Sequence, residues 1–522
     1  MLESTLSEAE ARFERRRRAV GLVLAPALLL GLLALPMPGL DPRAHTLAAV
    51  AAMTVALWVT EAIPLAATAL LGPALAVVLG VAEAKVALAA FGDPLIFLFL
   101  GGFLLAQGLS RQRVDQRAAL WLVSRPVVGG SPRRALYAVG GVGFAFSMWI
   151  SNTATTAMLL PVALGLHQTM RRAAPDDRDT QRALQRFGGG MCLALAYACS
   201  LGGSATPIGT GPNVMAVGLL REHAGATLGF GTWMAFGVPC AALMTVVTLA
   251  VVARAFPTPL LRVEGLTAEI QRALAELGPM RRGERRMLLV FALTVAGWLL
   301  PPALALGLGR AHPWARWADG ALDEGVVALL GACLLFAIPS GERDAQGDRE
   351  RLLGWDAMQR IDWGTLLLLG GGFALGRLTF QTGLAEAIGR GVLDLAGPVA
   401  RHPAGLLALA TCLVIALTEV TSNTATTTLV LPILARAAVA LGLDPRVLMI
   451  PATLSASCAF MMPVASPTQA IVFGSGHVTI RQMVRAGLWF NLLGVALVTL
   501  CFCVVGLAVF GIDLLHLPAW AR

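Results

Sequence analysis

The six residues Ser151-Asn152-Thr153-Ala154-Thr155-Thr156 occur again, letter for letter, as Ser422-Asn423-Thr424-Ala425-Thr426-Thr427, 271 positions downstream in a chain of 522. Both copies interrupt apolar stretches, and both are followed by an apolar run closed by a proline, Pro161 and Pro432. The chain is 57% hydrophobic and only 14% charged, whereas a soluble domain is about a quarter charged. Such a composition is that of a polytopic membrane protein. A polar Ser-Asn-Thr inside hydrocarbon is costly unless it binds something, because lipid tails offer no hydrogen-bond partners. Two copies in matching positions of two halves point to a transport site built at a repeat interface.

At about 20 apolar residues per span, crossing helices are expected near 19–38, 45–62, 65–82, 92–110, 188–207, 230–253, 287–308, 322–340, 363–380, 446–465 and 486–513. Segments 135–169 and 403–435 do not fit single spans. Each is two apolar arms of about 15 residues meeting at a Ser-Asn-Thr, and 15 helical residues rise only ~22 Å against a ~30 Å core. A re-entrant hairpin with its tip near mid-membrane fits these lengths; two short crossing helices are the alternative. The expected fold is an all-α polytopic membrane protein, eleven transmembrane helices plus two re-entrant hairpins in two inverted repeats.

Of 40 basic residues only Lys85 is a lysine, and the net charge is +9. A basic balance often signals nucleic-acid binding, but these arginines sit between spans and report orientation instead. With the N-terminus inside, six regions face the cytoplasm and hold 29 of the 40. That bias puts the N-terminus in the cytoplasm, the C-terminus outside, and the two hairpins on opposite sides. The division is then a cytoplasmic segment 1–18, a first half 19–253, a cytoplasmic amphipathic linker 254–286 and an inverted second half 287–522. The apolar run from Ala19 to Pro36 after Arg18 looks like a signal peptide, but no cleavage site leads to a soluble domain, so it reads as the first helix. Eight cysteines scattered through apolar segments read as small buried hydrophobes.

After each hairpin comes a helix broken by small residues, proline and a polar side chain: Gly209-Thr-Gly-Pro-Asn213 in the first half, Ala465-Ser-Pro-Thr-Gln469 in the second. Glycine and proline free backbone carbonyls, which a membrane tolerates only where they line a cavity or bind an ion. At a hairpin tip the first arm ends in carbonyls and the second begins with free N–H groups, so one tip can hold a cation on one side and an anion on the other. Serine, threonine and asparagine suit both tasks. No lysine or arginine lies within 137–166, 187–220, 404–435 or 447–476. An anion bound there must be balanced by helix N-termini and co-bound cations, which argues for obligatory cation coupling.

These residues resemble the divalent anion:sodium symporter family, which carries succinate and related dicarboxylates, citrate or sulfate. The resemblance runs over nearly the whole chain: Trp58-Val-Thr-Glu-Ala-Ile-Pro64 followed by Thr68-Ala-Leu-Leu71, both tips, Gly209-Thr-Gly-Pro-Asn213, Pro463-Val-Ala-Ser-Pro467 and Ala470-Ile-Val-Phe-Gly-Ser-Gly476. It implies a homodimer in membrane lipid, with a transport domain sliding as an elevator against a scaffold. Carried over, one sodium site uses Ser147, Ser151, Asn152 and the carbonyl of Gly209; the other uses Thr418, Thr421, Asn423 and the carbonyl of Ala465. Substrate carboxylates meet Asn152, Thr153, Asn423 and Thr424, with Thr210, Ser466 and Pro467 lining the pocket. One departure stands out: family members commonly read Pro-Pro-Asn where this chain has Pro467-Thr468-Gln469.

The implied activity is sodium-coupled import of C4-dicarboxylates (succinate, malate, fumarate) across the inner, cytoplasmic membrane of a bacterium, with sodium ions co-transported. Alternatives are a sulfate or tricarboxylate (citrate) symporter, a sodium-independent dicarboxylate exchanger, or, in a different class, an anion channel or pump subunit. No nucleotide-binding loop is present, and neither enzymatic chemistry nor a nucleic-acid partner is indicated. The intramembrane acids Glu61 and Glu419 suggest an ion role by default, with a structural hydrogen bond as the alternative. His167 reads as a helix-end cap, and Trp58, Trp149 and Trp489 as packing or interface anchors.

Overall fold

The computed structural model describes residues 8–125, 131–224, 228–258, 271–309 without 273, 311–384 without 344–346 and 348, 387, 403–419 and 421–513. It is mostly helical. Among the described residues, six helices are long and apolar enough to cross a membrane: Arg15–Ala34, Pro42–Thr60, Ala84–Arg111, Phe230–Ala255, Arg282–Leu308 and Ile480–Phe510. The bent pair Pro313–Ala321 and Glu324–Ala337 makes a seventh if counted as one span.

The centre of the molecule is the helix Arg178–Gly203, every residue of which is buried from Phe187 to Gly203. Its run of glycine, alanine and serine has no polar face to turn outward, as expected of a helix packed on all sides. Around it lie the helices Pro132–Ser147, Asn152–Ala173 and Phe230–Ala255. A second group packs through small residues. A Cβ on Gly101, in Pro94–Arg111, would lie 2.6 Å from the Ala328 Cβ of Glu324–Ala337. One on Gly371, in Trp363–Gln381, would lie 2.2 Å from the Ala69 carbonyl of Leu65–Val78.

Both Ser-Asn-Thr segments join two helices: Pro132–Ser147 to Asn152–Ala173, and Pro403–Thr418 to Asn423–Ala440. The prolines expected to close the apolar runs, Pro161 and Pro432, sit inside the second arms, which continue past them. Both expected breaks are present. Arg178–Gly203 is followed by Gly211–Ala224, and Arg446–Ala456 by a short turn Pro463–Ala465 and the helix Pro467–Gly474. The 446–465 span therefore stops nine residues early as a helix.

Other expectations need adjusting. The first helix begins at Glu8, so the arginines of the 1–18 segment ride on the same helix as the first apolar run. The all-α reading missed a two-stranded antiparallel ribbon, Pro339–Arg343 with Arg349–Arg351; these short arginine-bearing stretches carry no apolar alternation to announce them. Arg111 ties the ribbon to the bundle, 2.9 Å from Glu350 and 3.0 Å from Asp356. Much of the linker 254–286 (259–270 and 273) lies outside the described residues. Cys192, Cys199, Cys240, Cys458 and Cys501 are buried, but Cys333 and Cys412 face outward.

Glu61 makes a structural contact. It closes the helix Pro42–Thr60 in the left-handed region (φ 48°), and its carboxylate meets Arg17 at 3.1 Å.

Candidate functional site

At the first tip, Ser151 caps the second arm, its hydroxyl accepting from the Ala154 amide at 3.3 Å. Ser147, last residue of the first arm, donates to Asn152 Oδ1 at 2.6 Å and so bridges the gap between the arms. The end of the central helix presses on this bridge: a Cβ on Gly203 would lie 2.3 Å from Asn152 Oδ1, and one on Gly209 would lie 2.3 Å from the Gly203 carbonyl. A larger residue at Gly203 would displace the Asn152 side chain, and one at Gly209 would collide with backbone. Thr206, within the break, donates to the Met148 carbonyl at 2.5 Å. Ser147, Asn152, Gly203 and Gly209 thus form one knot of neutral oxygens.

The second tip repeats the bridge. The Thr418 hydroxyl lies 2.7 Å from Asn423 Oδ1 and 2.9 Å from the Ala456 carbonyl at the end of the broken helix. Thr421 sits 2.9 Å from the Leu417 carbonyl and 2.5 Å from the Thr426 hydroxyl. Donating to the first and accepting from the second leaves it one lone pair. Ala465 is buried, and Ser466 lies 2.7 Å from Thr468, which in turn lies 3.0 Å from Ser200 on the central helix. Val420 lies outside the described residues.

The two halves cross over. The broken helix of the first half, Gly211–Ala224, packs on the second arm Asn423–Ala440; that of the second half, Pro467–Gly474, packs on the first half's arm Asn152–Ala173. A Cβ on Gly211 would stand 2.5 Å from Thr424 Oγ1, so the second tip touches the first break. Asn152, Thr210, Asn423 and Thr424 are half-buried, and Thr153 and Pro467 are exposed. A soluble anion reaching this face meets hydroxyls, carboxamides and helix N-termini. The donors are hard, neutral oxygens, which suit an alkali cation and cannot by themselves neutralise a dianion.

Glu419 is buried between the arms, and its hydrogen-bond partners among the described residues are amides rather than cations. Its Oε1 accepts from the amides of Phe460 (2.7 Å) and Met461 (3.0 Å), and its Oε2 from Met461 (3.1 Å) and Met462 (3.2 Å). Asn491 Nδ2 adds a fifth contact at 2.6 Å. Tyr197 donates to the Phe460 carbonyl at 3.0 Å. The acid therefore pins the second break in place. Sequence reasoning missed Asn491, Tyr197, Ser200 and Gly203; the one available signal was an asparagine midway along the apolar helix Ile480–Cys501.

His167 caps nothing: it is buried, its Nε2 lies 2.9 Å from the Leu184 carbonyl, and its ring meets His477 edge-on at 5.7 Å. Trp149 packs between Phe230 and Phe291, whereas Trp489 is exposed on the outer surface of the bundle.

Comparison with known proteins agrees with this architecture. MtrF of Neisseria gonorrhoeae superposes with a TM-score of 0.54 at 13% identity, covering 80% of this chain and 83% of that one. The YdaH transporter of Alcanivorax borkumensis gives 0.52 at 13% identity, over 81% and 88%. These likenesses concern the fold alone. The sodium-dependent dicarboxylate transporter SdcS of Staphylococcus saprophyticus is 34% identical over 497 residues, 95% of this chain and 92% of that protein. SdcS of Staphylococcus aureus strain MSSA476 is 34% identical over 500 residues, with the same shares covered. Residues 16–511 match the family described as the sodium:sulfate symporter transmembrane region. By this match and these relatives, the chain is an integral membrane protein of the sodium:sulfate, or divalent anion:sodium, symporter family.

Proposed function

We propose that this chain imports C4-dicarboxylates by sodium-coupled secondary transport. The observation that carries the reading is the pair of matched oxygen knots, Ser147–Asn152 and Thr418–Asn423, in segments without a single lysine or arginine. A dicarboxylate held between them needs co-bound cations for charge balance. The names of the staphylococcal relatives, sodium-dependent dicarboxylate transporters, support both cation and substrate class.

In this reading one sodium ion is held by Ser147, Ser151, Asn152 and the Gly209 carbonyl, and another by Thr418, Thr421, Asn423 and the Ala465 carbonyl. The carboxylates are met by Asn152, Thr153, Asn423 and Thr424, beside Thr210, Ser466 and Pro467. The arrangement in the membrane is eleven crossings and two re-entrant hairpins in inverted halves, N-terminus in the cytoplasm and C-terminus outside. Two copies form a dimer, and each transport domain moves as an elevator. The arginine bias supports the orientation, and the crossed packing of breaks on hairpins supports a site shared by two halves.

The test is uptake of labelled succinate into liposomes holding the purified protein, under an inward sodium gradient or with choline in its place. Uptake only with sodium, competed by malate and fumarate, is expected. Uptake indifferent to sodium but requiring internal dicarboxylate makes the protein an exchanger. Sulfate or citrate carried in place of succinate overturns the substrate class and leaves the coupling.

A further inference from the structure

The two breaks hold one more matched pair. Asn213 and Gln469 are both fully buried, at 0% exposure. Each aims its amide nitrogen at the carbonyl ten residues earlier: Asn213 Nδ2 at Gly203 O, 2.9 Å, and Gln469 Nε2 at Ala459 O, 3.2 Å. Asn213 Nδ2 also lies 2.7 Å from the Thr206 carbonyl. Two carbonyls facing one atom fix which end of that amide is the nitrogen, since carbonyls only accept. The other ends, Asn213 Oδ1 and Gln469 Oε1, are buried without a partner.

A buried polar atom left bare carries the full cost of its lost hydration. Bearing that cost twice, at corresponding places, calls for a ligand that completes both. The surroundings identify it. Gly203, which Asn213 holds, is the residue pressed against Asn152. Ala459, which Gln469 holds, lies three residues past Ala456, whose carbonyl meets Thr418. Each bare oxygen therefore belongs to a side chain that holds the backbone of a break beside one of the two tips, among neutral oxygens.

We infer that Asn213 and Gln469 are ligands of the two co-transported cations, each holding its break through the amide nitrogen and offering the amide oxygen to the ion. Gln469, one methylene longer than its counterpart, makes the second cation site different from the first. This rests on the sodium-coupled reading above.

The test is thermal stabilisation of the purified protein by sodium chloride against choline chloride, without dicarboxylate, followed by sodium titration of uptake. Gln469→Leu is expected to raise the sodium concentration for half-maximal effect at least tenfold in both assays, with the KM for succinate at saturating sodium within twofold. Gln469→Asn retracts the oxygen by about 1.5 Å and is expected to change the preference for sodium over lithium at least threefold. A sodium-stabilised wild type beside a Gln469→Leu variant of unchanged sodium dependence overturns this inference alone, and the oxygen is then satisfied by water. A wild type indifferent to sodium overturns the coupling reading and the inference together. Should Gln469→Leu fail to fold, an unchanged sodium requirement and ion preference in Gln469→Asn overturn it.

Discussion

The two tips share six identical residues and one hydrogen bond, yet they are held in opposite ways. At the first, the break reaches into the hairpin: the Thr206 side chain bonds the backbone of Met148. At the second, the hairpin reaches into the break: Glu419, in the position that Met148 occupies in the first half, bonds the backbone of residues 460–462. Ser151 caps its helix with its hydroxyl, whereas Ser422 adopts the same backbone geometry (ψ 136° against 141°) without a capping bond. Thr153 is exposed, and Thr424 is half-covered by Gly211. The identical residues give both tips the same asparagine, bridged from the first arm by a hydroxyl in each case. The anchoring side chain differs: Thr206 of the break at the first tip, Glu419 three places before the motif at the second.

Removing the shared feature is expected to have the largest effect. Asn152→Ala and Asn423→Ala should each reduce succinate uptake roughly a hundredfold or more, about 3 kcal/mol of binding, with the protein still inserted and monodisperse on size exclusion. Normal uptake by either breaks the symmetry of the two tips. The anchoring difference comes next. Glu419→Gln places an amide where three backbone donors need a charged acceptor, and should lower stability by about 2–4 kcal/mol in denaturant or thermal unfolding. Met148→Leu, a volume-conserving change, should cost less than about 1.5 kcal/mol; equal losses would mean that the acid is no anchor. Thr153→Ser with Thr424→Ser should weaken the preference for succinate over sulfate several-fold in competition assays, and an unchanged profile removes both threonines as selectors. Smallest is the cap: Ser151→Ala should cost about 1 kcal/mol of stability in sodium-free buffer, and Ser422→Ala close to nothing.

Much of the site was legible because its chemistry is local. Ser147, Asn152, Thr418 and Asn423 lie within five residues of their partners, and helix breakers announced both interruptions. The departure at Gln469 was visible as a letter, and the structure gives it the same ten-residue bond that Asn213 makes. What the sequence hid is contact at long range. Glu419 meets Asn491 across 72 positions, and Tyr197 meets Phe460 across 263; neither distance leaves a periodicity or motif. Glu419 therefore read equally as an ion-coupling acid or a structural one, and only the three amides around it decide. The ends of the second arms and the start of the first helix were misjudged for plainer reasons: both arms run on through their prolines, and hydropathy falls off at Arg18 while the helix does not.

The crossed packing of the breaks also bears on how the protein is made. The first hairpin is complete once Ala173 is synthesised, but the helix that covers it ends at Gly474. At translation rates of about 5–20 residues per second, its polar tip waits on the order of tens of seconds for that partner. Through this interval the tip lacks the cover that Pro467–Gly474 supplies in the finished chain.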